Sequence, residues 1–320
     1  MPRIGFLGPP GTFTEQALLG QGDLASEELV PLASIPDVLA ATTAGEVDLG
    51  FVPVENAIEG TVNVTLDTLA FDTSLLIQRE VVLPVDLHLM ARPGTKLEDV
   101  RTVVSMPMAT AQVRGFLGRE LPDATTVAAN STAEAARIVG EDGADGMAAV
   151  GPAHAGELYG LDVLAAGIED HPDNATRFVV VAAEGVPAPT GHDKTTIVCF
   201  QRVDQPGSLL AMLQEFAARA INLTKLESRP TKRGLGDYCF IIDLEGHVAD
   251  ELVADCLRDL KAKTLDVKFL GSYPAAGEHG ESVRRDADAA WRAADAWVSD
   301  LRRGIASPSE GWQSGRMRRS

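Results

Sequence analysis

The chain has 320 residues, 45% of them hydrophobic and 23% charged, which is enough for two domains with a sizeable core. Its formal net charge of −18 argues against nucleic acid or an anionic membrane as partners of the main body, since both demand a basic face. A local pocket for a small anion remains compatible with that balance.

In chain order, RIGFL (3–7) reads as a strand, GPPGT as a turn and TFTEQALLG as a helix start, with Thr12 and Glu15 spaced for a capping box. SIPDVLAATTAG is a helix capped by Ser34, and DLGFVPV (48–54) is a buried strand. Strands alternating with helices predict an α/β layout with a largely parallel sheet. The layout then repeats at a shift of 97 residues: Pro10 matches Pro107, Ser34 matches Ser131, and Asp48 matches Asp145. Two similar lobes are expected, the first about 1–80 plus 165–184 and the second about 85–160. LLIQREVVLPVDLHLMARPG is the crossing between them and NATRFVVVAAE the return. Two crossings make a cleft faced by the loops that follow the parallel strands.

Residues 185–194 are rich in Pro and Gly and read as a linker. Residues 195–274 follow as βαββαβ, a ferredoxin-like order whose sheet has helices on one face only, so dimerisation is expected to cover the rest. Residues 275–320 are expected to form an amphipathic helix, with Trp291, Ala294, Val298 and Leu301 at helical spacing and docked by its tryptophans, followed by a disordered arginine-rich tail.

The three cysteines, Cys199, Cys239 and Cys256, lack metal-ligand spacing and read as buried thiols of a reducing compartment. His88, His154 and His171 are equally scattered, so no metal site is expected. The N-terminus lacks a long apolar leader, and no run reaches about 18 apolar residues; the expected location is the cytoplasm. GPPGTFTEQ (8–16) lacks the Lys-Ser/Thr ending of a phosphate loop, which excludes nucleotide binding there. Its helix N-terminus still suits a carboxylate, and SMPMATAQ (105–112) occupies the equivalent place in the second lobe. Two such termini on one cleft suit a ligand with two negative groups. PVENAIEGTVNVTLDTL (53–69) is dense in hydrogen-bonding side chains directly after a buried strand, as a ligand-facing loop would be.

Four segments carry a family resemblance, in order: GPPGTFTEQAL, ENAIEGTVNVTLDTL, YGLDVLAAGIEDHPDNATRFVVV (159–181) and LTKLESRP (223–230). Together they resemble monofunctional prephenate dehydratases over about residues 3–274. The resemblance implies a two-lobed, periplasmic-binding-protein-like α/β catalytic domain (1–184) followed by a ferredoxin-like ACT regulatory domain. It implies cofactor-free conversion of prephenate into phenylpyruvate for phenylalanine synthesis. The nearest alternatives are arogenate dehydratase and a non-catalytic amino-acid-binding regulator.

Carried over residue by residue, the catalytic set is Thr176, Asn56, Ser105 and Gln112, with Glu55 a candidate proton source. A threonine hydroxyl is too weak an acid to ionise near neutrality, so Thr176 is expected to donate a hydrogen bond to the departing oxygen. Thr12, Thr14 and Thr68 are expected to bind substrate, with Phe178 sharing the face of Thr176. Arg177 is left between a substrate carboxylate and a structural ion pair. Ala57 stands where many relatives carry Ser. The resemblance places inhibitory phenylalanine between paired ACT domains, in a dimer or tetramer, at Asp204, Pro206, Gly207, Ser208 and Leu209 and at Glu227, Ser228, Arg229 and Pro230.

Overall fold

A computed structural model describes residues 1–202, 205–232, 234, 237–276, 294 and 296–303. The chain opens with β1 (Arg3–Leu7), α1 (Phe13–Leu19), β2 (Glu28–Leu32), α2 (Ile35–Ala44), β3 (Leu49–Asn56), β4 (Gly60–Thr61), α3 (Asn63–Asp67) and β5 (Leu76–Pro84). It crosses to β6 (His88–Ala91), β7 (Thr102–Ser105), α4 (Pro107–Gln112), α5 (Arg114–Glu120), β8 (Thr125–Ala128), α6 (Thr132–Arg137), β9 (Met147–Gly151), α7 (Ala153–Tyr159) and β10 (Asp162–Ala165). Then β11 (Ala175–Ala182) returns to the first sheet, whose order is β2-β1-β3-β11-β5; the second is β10-β6-β9-β7-β8.

The lobes share one plan. In each, a central strand has parallel neighbours on both sides, β2 and β3 around β1 and β8 and β9 around β7, and two antiparallel strands extend the sheet beyond. The repeated serines are both helix caps: Ser34 accepts from the Asp37 N–H at 3.3 Å and Ser131 from the Glu134 N–H at 3.0 Å. No residue of the outer strands β2 and β8 is fully buried, and β8 is exposed at every position, so alternation alone does not announce them. The second sheet also runs beyond the expected boundary near 160, because Asp162–Ala165 pairs with β6. The two crossings touch: the Val85 N–H donates to the Asn174 carbonyl at 2.9 Å.

The C-terminal sheet is formed by β12 (Asp193–Phe200), β13 (Leu223–Pro230), β14 (Tyr238–Glu245) and β15 (Asp266–Pro274), in the order β13-β14-β12-β15. Helices α8 (Ser208–Ala217) and α9 (Glu251–Lys263) cover one face through Met212, Phe216, Cys256 and Leu260. The sheet face opposite the helices is covered within this chain, which leaves other surfaces of the domain for the expected pairing. On the covered face Val198, Cys239, Ile241, Leu270 and Tyr273 pack against Val52, Leu69, Leu75, Val179 and Val181 of the same chain's first lobe. The approach is close: at Gly271 (φ 142°), a Cβ would lie 2.5 Å from the Ile77 carbonyl oxygen on β5.

Ala294 and residues 296–303 are helical, but Trp297 and Leu301 are 63% and 55% exposed, so the expected docking is not made at these positions. Trp291 and the terminal tail lie outside the described residues.

Candidate active site

Between the lobes lies a cleft of about 580 Å³. The first lobe lines it with Leu7, Thr12, Phe13 and Thr14, and the second with Met106, Asn130, Ser131, Thr132, Arg137 and Tyr159. Thr12 is the N-cap of α1, as its spacing predicts, and Glu15 turns back to accept from the Gly11 N–H at 2.5 Å. Glu15 also meets His154 of the second lobe at 3.0 Å, bridging the lobes.

A buried amide chain joins the lobes where the crossings meet. The Asn56 side chain accepts from the Ile58 and Glu59 backbone N–H groups through Oδ1, both at 3.0 Å. That forces its Nδ2 toward acceptors at the start of β11 and just before it: Thr176 Oγ1 at 2.9 Å and Asn174 Oδ1 at 3.0 Å. Asn174, 2% exposed, donates in turn to Gln112 Oε1 at 3.0 Å, and Gln112 Nε2 donates to Glu59 at 3.2 Å. Helix α4 therefore runs from the cleft wall at Met106 to this hub at Gln112, roughly 9 Å at 1.5 Å per residue. Because Thr176 accepts from Asn56, its own O–H remains to donate.

The structure thus joins Asn56, Gln112 and Thr176, and places Thr12 and Thr14 on the cleft wall. Other expected residues go elsewhere. Glu55 pairs in register with Arg177 on the opposite side of β3, where it meets Arg177 at 3.4 Å and Lys225 at 3.2 Å; alternation along the strand takes it away from Asn56. The carboxylate on the hub side is Glu59. Ser105 is fully buried and donates to the Val150 carbonyl at 2.8 Å. Thr68 donates to the Val64 carbonyl within its own turn. Phe178 is core rather than pocket wall: 2% exposed, it stacks on Phe51 with centroids 5.1 Å apart.

Arg177 takes the structural alternative. It forms ion pairs with Glu80 (2.5 Å) and, across the domain boundary, with Asp243 (2.6 Å), and it donates to Tyr273 at 3.1 Å. Burial opposes its charge, but Asp243, Tyr273 and Glu80 outweigh that and hold its pKa well above the ordinary value. Asn174, Glu59 and Arg137 were not singled out for the site by the sequence. The signal for Asn174 was its place directly before the return strand, and for Glu59 the polar density of its loop.

The expected effector residues also divide. Gly207, Ser208 and Leu209 line a cavity of about 380 Å³ with Phe240, at the start of α8 where Gly207 adopts φ 89°. Ser228 pairs with Phe240 and shares its face; Pro206 and Pro230 are exposed nearby in sequence. Asp204 lies outside the described residues. Glu227 and Arg229 point the other way, into the first lobe. Glu227 accepts from Thr61 at 2.5 Å, and Arg229 donates to Asp67 and Asn63, both at 2.7 Å.

Among the described residues no three His, Cys, Asp or Glu side chains gather as a metal site, and no helix is long and apolar enough to cross a membrane.

The fold defines a two-lobed, periplasmic-binding-protein-like α/β domain followed by a ferredoxin-like βαββαβ module. Residues 4–186 match the family model for prephenate dehydratase, and residues 195–262 match that for the ACT domain. The chain is 45% identical to the prephenate dehydratase of Mycolicibacterium gilvum over 95% of this chain and 99% of the relative. The crystal structure of the Arthrobacter aurescens prephenate dehydratase in complex with L-Phe is similar at TM-score 0.86 and 40% identity, covering 94% of this chain and all of that one. GqqA, described as a novel type of quorum-quenching acylase, is similar at TM-score 0.76 and 30% identity, covering 86% and 98%. The chain belongs to the prephenate dehydratase family.

Proposed function

We propose that the interlobe hub performs the decarboxylating dehydration of prephenate to phenylpyruvate. The ring carboxylate leaves as CO2, its electron pair enters the ring, and the ring hydroxyl departs and takes up one proton to become water. The observation that carries the reading is the Asn56–Thr176 hydrogen bond, which leaves the threonine hydroxyl to donate to that departing oxygen. Gln112 and Asn174 hold the lobes in register around it, and Thr12 and Thr14 supply polar contacts on the cleft wall. No cofactor is needed, because aromatisation provides the driving force.

Feedback inhibition by phenylalanine is supported by the cavity at Gly207, Ser208, Leu209 and Phe240 and by the L-Phe bound to the Arthrobacter relative. Exposed Leu210, Leu226 and Tyr238 on the regulatory domain support pairing of two chains there, as a dimer or tetramer. The proposed domain limits are 1–184 catalytic, 185–194 linker, 195–274 ACT and 275–320 C-terminal extension, in a cytoplasmic biosynthetic enzyme.

Purified protein offered prephenate should release phenylpyruvate, and added phenylalanine should slow it. Turnover of arogenate instead would move the substrate assignment, and turnover of neither would overturn the dehydratase reading. Leu209→Lys should remove phenylalanine inhibition while preserving turnover. Sedimentation should show no monomer.

A further inference from the structure

The residue next to Thr176 is the most heavily paired cation at the domain boundary. Arg177 is within ion-pair distance of Glu80 and Glu55 on its own lobe and of Asp243 on the ACT sheet, and Tyr273 of the same sheet accepts from it. Glu80 and Asp243 have side chains only 1% and 2% exposed, so each domain contributes a buried anion to one guanidinium. Lys194 and Lys225 of the ACT sheet complete the cluster through Glu80 and Glu55. Two neighbouring residues of one strand thus face opposite ways: Thr176 to the hub and Arg177 to the ACT sheet. The register of β11 against β3 slips between Arg177 and Phe178, so the ladder is least regular at the residue the ACT sheet grips.

We propose that Arg177 is a positioning residue: Asp243 and Tyr273 hold its guanidinium, and through the shared backbone this sets the Thr176 hydroxyl against Asn56. Displacement of the ACT sheet then reaches the reacting hydroxyl through one residue, with no change required in the cleft itself. The proposal rests on the dehydratase reading for its kinetic readout, but its structural half is read without substrate.

The test uses the full chain carrying Asp243→Asn or Tyr273→Phe. Both replacements are nearly isosteric and leave Arg177 paired with Glu80, so the fold is kept; thermal unfolding checks this. In Asp243→Asn, kcat for prephenate should fall about tenfold with KM within about twofold, and the phenylalanine response should weaken; Tyr273→Phe should do the same to a smaller degree. Amide hydrogen exchange should accelerate at residues 175–178 and stay unchanged at 49–52. Unchanged exchange at 175–178, or acceleration spread evenly over the first lobe, overturns the proposal. So does a change confined to KM. If the wild-type protein does not turn over prephenate, the dehydratase reading fails, and the exchange pattern alone decides whether Asp243 and Tyr273 hold this strand.

Discussion

A hydroxyl hydrogen at Thr176 matters only if the oxygen is already held from its other side, and Asn56 does that at 2.9 Å. Thr176→Ala should lower kcat by about a hundredfold or more with an unchanged unfolding midpoint, whereas Thr176→Ser should retain most activity. Arg177→Met should lose stability as well as turnover. It strands the nearly buried Glu80 and Asp243 carboxylates, and should cost about 3–5 kcal/mol in urea unfolding. Asp67 adds a pH dependence. Burial pushes its pKa up, but Lys232 and Arg229 outweigh this and leave it below the ordinary value of 3.8. Its contribution is therefore complete above 3.8 and is lost as pH falls through the lower folded value. Urea midpoints should drop through that acid range, and less steeply in Asp67→Asn.

At the scale of elements, the ACT sheet is held from both faces, and its cysteines report this. Burial pushes the Cys199 and Cys256 thiols up to about 12 and Cys239 to about 11. None should react with a thiol reagent at about pH 8 until the protein is unfolded. Gly271→Ala should open the seam between β15 and β5, because the added Cβ meets backbone rather than a movable side chain, and should lower stability more than Gly45→Ala, where nothing lies within 4 Å. Lys268 of β15 also ties the sheet to the turn after α3 by donating to the Leu69 and Ala70 carbonyls at 2.7 and 3.1 Å. The apolar strands β1, β3 and β11 are legible in sequence because they are buried on both faces. The outer strands β2 and β8 are not, because one side of each pairs with no strand and none of their residues is fully buried.

In the whole molecule, the ACT sheet closes on the first lobe rather than standing apart on its linker. Its cations reach the end of β3 and helix α3: Lys225 meets Glu55, Arg229 meets Asp67 and Lys232 meets Asp67. Most of these groups keep some exposure, so moderate salt should loosen the contact, while the Arg177 cluster is screened less. The second lobe carries none of these ion pairs and is tied to the first by the crossings, the amide hub and the Glu15–His154 contact.

The sequence alone determined the alternation of strands and helices, the 97-residue repeat with its two serine caps, the βαββαβ order, and the motif segments that carry Asn56, Gln112 and Thr176. Each of these is written in local periodicity, capping chemistry or contiguous motif residues. The tertiary structure decided what each flanking residue faces. Glu55 and Glu59 lie four residues apart, but pairing with β11 sends the first to the ACT sheet and leaves the second beside Gln112. Arg177 was ambiguous for the same reason. Alternation says that it points away from Thr176, but only the packing of a second domain on that side of β11 supplies the buried carboxylate that completes its pairing.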